Sequence, residues 1–251
     1  FYTLPKMKSW QQKQRWLPAA CRGEINFCFA ITEATAGTNS IKINTLARAN
    51  GNRFSMSGSK TFITGADVCD YALVVARTTP HGEVKRKTDG FTLFIVDLNA
   101  KGVERHPIDI NLPIPESQFT IFFDEVDLGL ENVIGEVGRG FDILFDSLNP
   151  ERILVAALCC GIGRFALEKA VAYASEREVF DVPIGSHQGV QHPLAAAKTQ
   201  VEMASLMMRQ AAWQYDQGLP AGEASNMAKY AGAEAGIQAV DAALQAHGGN
   251  G

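Results

Sequence analysis

One change of periodicity near residue 140 limits the folds open to this chain. From residue 26 to about 133, short β-rich runs alternate with Gly, Asn and Asp turns, at 26–31, 40–48, 53–57, 60–63, 71–77, 91–97 and 119–123. No regular helical pattern lies between them. Parallel strands need long crossovers, usually helices, so these runs predict an antiparallel β domain rather than a parallel α/β sheet. Asn50-Gly51 suits a tight hairpin between two of the runs. From Gly140 onward apolar residues recur at helical spacing, which predicts helices over 141–148, 153–177, 194–217 and 221–245. An earlier helix is expected over 9–21, with Trp10, Trp16 and Leu17 as its apolar contribution and Gly23 as its stop. The class is therefore α+β, an antiparallel β domain flanked by helical domains, with expected limits at 1–24, 25–135 and 136–251.

The remaining features are mostly restrictive. The net charge of −4 gives no broad basic excess for phosphates, which argues against a nonspecific nucleic-acid binder. Hydrophobic residues at 46% and charged residues at 20% are ordinary for a globular protein, and no apolar run reaches transmembrane length. Cys159-Cys160 are expected to pack as small apolar side chains on a helix, and no metal site is expected. The segment 79–88 is polar and basic and reads as a solvated loop, and 108–117 reads as an irregular link. Phe1-Tyr2-Thr3 is neither an initiator methionine nor a signal peptide, and Gly248-Gly249-Asn250-Gly251 reads as a turn, so both ends are expected to be cut from a longer protein.

Six segments carry a resemblance: Phe29-Ala30-Ile31-Thr32-Glu33, Lys60-Thr61-Phe62-Ile63-Thr64-Gly65-Ala66, Glu151-Arg152, residues 173–180, His187-Gln188, and residues 245–249. Each is weak alone, but their order and spacing together make the chain resemble the acyl-CoA dehydrogenase family along nearly all its length. The resemblance implies that fold, with both terminal portions incomplete. It implies FAD held between the middle β domain and the C-terminal helices. It also implies an acyl-CoA substrate, an electron-transfer flavoprotein as electron acceptor, and a homodimer or homotetramer in a bacterial cytoplasm or mitochondrial matrix.

The same resemblance assigns roles. Phe29, Ile31 and Thr32 would contact the flavin, Thr32 through its backbone and hydroxyl. Phe62 would stack on the outer face of the ring, and Thr64 would place a hydroxyl near its reactive nitrogen. Arg177 would bind the pyrophosphate, often that of a neighbouring subunit, with Phe180 beside it. Gln188 and Gln245 would hold the dinucleotide portion, and Gly248 and Gly249 would bring backbone N–H groups to its phosphates. Thr38, Asn149 and Arg152 would contact substrate, and the basic 85–87 stretch could meet CoA phosphates. Read without the resemblance, Phe62 equally suits a strand core, Arg177 a surface ion pair with Glu176 or Glu178, and Gly248-Gly249 a helix stop.

This chain departs from the family at Ala34-Thr35-Ala36-Gly37-Thr38-Asn39, where proline-glycine-alanine-glycine-serine-aspartate is usual. Thr35 replaces a glycine that a positive φ would require. Val179 lacks a hydroxyl that some members use. Asp181 replaces a usual glycine, adding charge near a phosphate site and straining the turn. The segment Leu112-Pro113-Ile114-Pro115 replaces a glycine-containing sequence and could alter substrate access.

Glu151 is the expected catalytic base, removing the α proton while flavin accepts the β hydride to give a trans-2-enoyl-CoA. Many members carry the base on a loop beyond the last residue here; others carry it at the position of Glu151. Two local structures are open for it. Asn149-Pro150 could be an N-cap and first helical residue, which would lower the Glu151 pKa. The resemblance instead places Glu151 within a longer helix begun near Gly140, kinked at Pro150, with the Asp146 carbonyl freed and the Glu151 pKa raised by burial. Leu148, Leu154, Ala157 and Leu158 could line an acyl pocket or belong to the core. Three further readings stay open on the residues: an acyl-CoA oxidase, a noncatalytic acyl-CoA-binding homologue, and a helical interaction module without flavin.

Overall fold

The computed structural model describes residues 4–111 and 114–251. Leu112 and Pro113, on which part of the substrate-access expectation rests, lie outside them. The chain forms two compact units, Phe1–Phe145 and Asp146–Gly251. Among the described residues, no helix is long and apolar enough to cross a membrane.

The first unit opens with α1 (Trp10–Cys21). Ser9 Oγ accepts from Gln12 N at 3.0 Å and Gln12 Oε1 accepts from Ser9 N at 3.1 Å, a reciprocal cap that satisfies two amides at the helix start. Trp16 is buried against Tyr71, ring centroids 4.6 Å apart, whereas Trp10 is exposed and contributes nothing to the core. Gly23 ends the helix at φ +70.

Eight strands follow: β1 (Phe27–Ala30), β2 (Leu46–Asn50), β3 (Arg53–Thr64), β4 (Tyr71–Arg77), β5 (Phe91–Asp97), β6 (Val103–Ile108), β7 (Gln118–Gly129) and β8 (Val133–Ile134). They make one sheet in the order β6-β7-β3-β2-β4-β5-β8, with β1 beside β4. The sheet is mostly antiparallel, as expected, but β1 pairs with β4 in parallel, and β2 meets β4 in parallel at Leu46 and Arg77. The core is the inner face of this sheet, including Phe54, Met56, Ile63, Phe94, Phe119 and Ile121.

Four sequence expectations change here. The 40–48 run divides into a short 3-10 turn, Ser40–Lys42, and β2. The runs at 53–57 and 60–63 are one bulged strand, β3. The 119–123 run extends to Gly129. β6 was not expected: Val103–Ile108 is charged and carries Pro107, a residue a sheet tolerates at an edge, and β6 is an edge strand.

Arg77 organises the loops above the sheet. Its guanidinium is buried and donates to the carbonyls of Ile41 (2.6 Å), Asp89 (3.1 Å), Ile43 (3.2 Å) and Lys87 (3.3 Å), with its plane 4.3 Å over the Phe91 ring. The basic 85–87 side chains are exposed, but their backbone is anchored by this group.

The second unit is built on three long helices: α2 (Gly140–Glu176), whose first residues belong to the first unit, α3 (Gln188–Asp216) and α4 (Gly222–His247). Leu167, Ala170, Leu194, Val201, Ala235 and Ala239 form part of its core, and the many small residues let the backbones approach closely. A two-residue hairpin, β9 (Glu178–Val179) with β10 (Val182–Pro183), joins α2 to α3. Cys159 and Cys160 both lie in α2, with Cys160 buried. Leu154 and Leu158 are exposed rather than core.

The expected helices at 141–148 and 153–177 are therefore one helix, and Asn149-Pro150 is not a cap. Proline lacks the N–H that would bond four residues back to the Asp146 carbonyl. Tyr215 Oη fills that role, donating to Asp146 O at 3.1 Å. Tyr215→Phe is expected to destabilise the protein by about 1 kcal/mol, read by chemical denaturation; an unchanged midpoint would show that this bond contributes nothing to stability.

Candidate functional site

In the first unit, five expected cofactor residues converge at the ends of β1 and β3. Phe29, Ile31 and Thr32 are half-buried at and just beyond the end of β1. The Thr61 amide of β3 donates to Thr32 O at 2.9 Å and Lys60 Nζ to Ile31 O at 2.9 Å, which joins the two segments. Phe62 and Thr64 are exposed within the same stretch, and the Thr64 hydroxyl is paired with the Gln118 side-chain amide at 3.0 Å. Phe62 is not core. It is 62% exposed with φ +56 at a register break between Lys60 and Ile63. A bulky residue in the left-handed region costs on the order of 1–3 kcal/mol and persists only where its surroundings over-determine it. An outward aromatic held that way suits a planar ligand.

The positive φ associated with a glycine at position 35 is not required of Thr35. Ala34-Thr35 is a turn closed by Glu33 N to Ala36 O (3.2 Å) and Ala36 N to Glu33 O (3.0 Å), and Thr35 takes no positive φ. Thr38 is exposed just beyond it.

The charged pair beneath these segments was not assigned a role from sequence. Lys60 Nζ lies 2.9 Å from Glu33 Oε1, with the two side chains 0% and 7% exposed. The Glu33 carboxylate also accepts the amides of Asn44 (2.6 Å) and Thr45 (2.9 Å). Burial opposes the Glu33 charge, but Lys60 and these amides outweigh it and hold the pKa below its ordinary value. Burial lowers Lys60 to about 8, against the attraction of Glu33. The available signal was a lysine on the inward register of an alternating strand, which requires a buried partner.

In the second unit the expected residues form two separate groups. Glu151 is half-buried in the interior of α2, which rules out the reading in which Asn149-Pro150 starts a helix. Burial raises its carboxyl pKa, with the Arg152 charge opposing. Arg152 Nη1 donates to Asn149 Oδ1 at 3.0 Å, so these two candidate substrate contacts are coupled on the turn that carries Glu151.

The second group is at the other end of α2, about 37 Å along the helix at 1.5 Å per residue. There the end of α4 meets α2: the His247 ring stacks on Tyr173 at 4.6 Å, and Asn250 Nδ2 donates to Tyr173 Oη at 3.3 Å. Arg177, Phe180, Gln188, Gln245, Gly248 and Gly249 are all exposed at this end. Among the described residues, Arg177 forms no ion pair with Glu176 or Glu178. The Gly248 amide donates to Gln245 O with φ +62, so this glycine serves as the helix stop.

Phe180 and Asp181 are the two central residues of the β9–β10 hairpin and have φ +56 and +62. Both-positive turns favour glycine at the second position, so the expected strain at Asp181 is present. Asp181→Gly is expected to raise stability by about 0.5–1 kcal/mol. A thermal melt that shows no gain would place the hairpin outside the cooperative unit.

Comparison with known proteins identifies the family of this fold. The family model for the acyl-CoA dehydrogenase middle domain matches residues 28–126, and that for the acyl-CoA dehydrogenase C-terminal domain matches 138–251. The acyl-CoA dehydrogenase FadE12 of Mycobacterium tuberculosis (strain ATCC 25618 / H37Rv) is 46% identical over 250 residues, covering 99% of this chain and 64% of the relative. The caffeyl-CoA reductase-Etf complex subunit CarC of Acetobacterium woodii is 32% identical over 245 residues, covering 96% of this chain and 63% of CarC. The structure of PigA with FAD and proline superimposes with a TM-score of 0.93 at 26% identity, covering 98% of this chain and 64% of PigA. The chain thus spans less than two thirds of the length of these relatives. With both family models matched in order, over the sheet and over the three helices, the chain belongs to the acyl-CoA dehydrogenase family.

Proposed function

We propose that the whole protein is an FAD-dependent acyl-CoA dehydrogenase that converts an acyl-CoA thioester to its trans-2-enoyl-CoA. The observation that carries this reading is the outward, left-handed Phe62 between Thr32 and Thr64, a set that fits a planar, hydrogen-bonding ring. FAD is also the group present in the structural relative PigA. Phe29, Ile31, Thr32, Phe62 and Thr64 would hold the ring, and bound FAD would supply the hydride acceptor for the β carbon.

Glu151 is the group that takes the α proton. Burial raises its carboxyl pKa, which strengthens the carboxylate as a base. Thr38, Asn149 and Arg152 would contact the substrate. Arg177, Phe180, Gln188, Gln245, Gly248 and Gly249 would contact the dinucleotide phosphates and adenosine. The long separation between Glu151 and the Arg177 end of α2 supports the cross-subunit use of that end, and hence a homodimer or homotetramer. An electron-transfer flavoprotein is the proposed electron acceptor, in line with the name of the relative CarC. The proposed domain limits are 25–135 for the middle β domain and 136–251 for the helical domain.

The test uses the full-length protein. Its visible spectrum is recorded anaerobically while short, branched, long and aromatic acyl-CoAs are titrated in. Bleaching of a flavin spectrum by one acyl class is the expected result. A colourless protein, or a flavin that no acyl-CoA reduces, rejects the reading.

A further inference from the structure

The Lys60–Glu33 ion pair is used by none of the chemistry above, yet it is the most deeply buried ion pair among the described residues. A buried ion pair adds little net stability over an apolar pair of the same volume, so its value is sought in geometry. Each partner holds a different backbone segment. Lys60 Nζ fixes the Ile31 carbonyl at 2.9 Å, and the Glu33 carboxylate fixes the amides of Asn44 and Thr45. The neighbouring Thr61 amide then reaches Thr32 O at 2.9 Å.

The pair also accounts for the conformation of Phe62. Side chains alternate along a strand, so one residue should separate two inward ones. Here Lys60 and Ile63 are both buried, with two residues between them, and the register with β7 shifts at that point. Anchored at both ends, the strand bulges, and Phe62 is turned outward with φ +56.

We infer that Lys60 and Glu33 are positioning residues for the flavin, holding the Ile31-Thr32 backbone against β3 and thereby fixing the directions of Thr32 and Phe62. This rests on the proposed FAD-dependent function. The pair acts through Thr32 and Phe62 and touches no reacting atom.

The experiment compares wild-type full-length protein with Glu33→Gln and with the double variant Lys60→Met/Glu33→Gln, which leaves no buried charge unpaired. Three quantities are read: the thermal midpoint of the apoprotein, the Kd for FAD by fluorescence titration, and the visible bands of the bound flavin. The double variant is expected to melt near the wild-type temperature while binding FAD about tenfold more weakly, with displaced bands. Glu33→Gln is expected to move both flavin readouts in the same direction by less. Wild-type affinity and spectrum in either folded variant would overturn the inference alone. Loss of fold and flavin together in both variants would also overturn it, in favour of a purely structural pair. A wild-type protein that binds no FAD would overturn the function reading, and this inference with it.

Discussion

Glu151→Gln is expected to lower kcat for acyl-CoA dehydrogenation by about 100- to 10,000-fold, with FAD binding and thermal midpoint close to wild type. Glutamine keeps the volume and polarity of the side chain within α2 but cannot accept the α proton. Burial raises the pKa of the wild-type carboxyl. As pH falls through that raised value, Glu151 takes up a proton and the base is lost. The acid limb of kcat/KM should therefore lie above the ordinary carboxylate range. Stopped-flow flavin bleaching under anaerobic conditions, followed across pH, reads both effects. A variant that reduces its flavin at the wild-type rate would move the base elsewhere in the protein.

The largest loss of stability is expected from Lys60→Ala, about 3–5 kcal/mol. The substitution strands the Glu33 carboxylate, 7% exposed, with only the amides of Asn44 and Thr45 as partners. It also removes the donor to the Ile31 carbonyl. Urea denaturation of the full-length protein measures the loss, and a cost below about 1 kcal/mol, the level of an exposed ion pair, would contradict the burial argument. Lys60→Ala/Glu33→Ala should recover much of it, because the penalty comes from the unpaired charge.

Much of the architecture was legible along the chain because strand and helix differ in period. β4 and β5 were located to the residue from their apolar runs, and α4 within two residues at either end. Misjudged elements had weak local signals. β6 is polar and carries Pro107, and the 40–48 run mixes a turn with a strand. The parallel pairing of β1 with β4 has no local signature, since Phe27 and Tyr71 are matched across 44 positions. The site was legible as segments through the family resemblance, while the mutual support of those segments was not.

Local chemistry decided where most strands and helices form and where the chain turns, and at Asn149-Pro150 it offered a helix start. Contacts distant in sequence decided between alternatives that were locally similar. Tyr215, 69 residues away, serves the Asp146 carbonyl that Pro150 cannot, so the helix continues and Glu151 lies in its interior rather than at a cap. Glu33, 27 residues away, draws Lys60 inward, and the resulting bulge turns Phe62 out of the core. Propensity and periodicity are sums over near neighbours, whereas the burial of a charge or the satisfaction of a carbonyl depends on groups that only the folded chain brings within 3 Å or so.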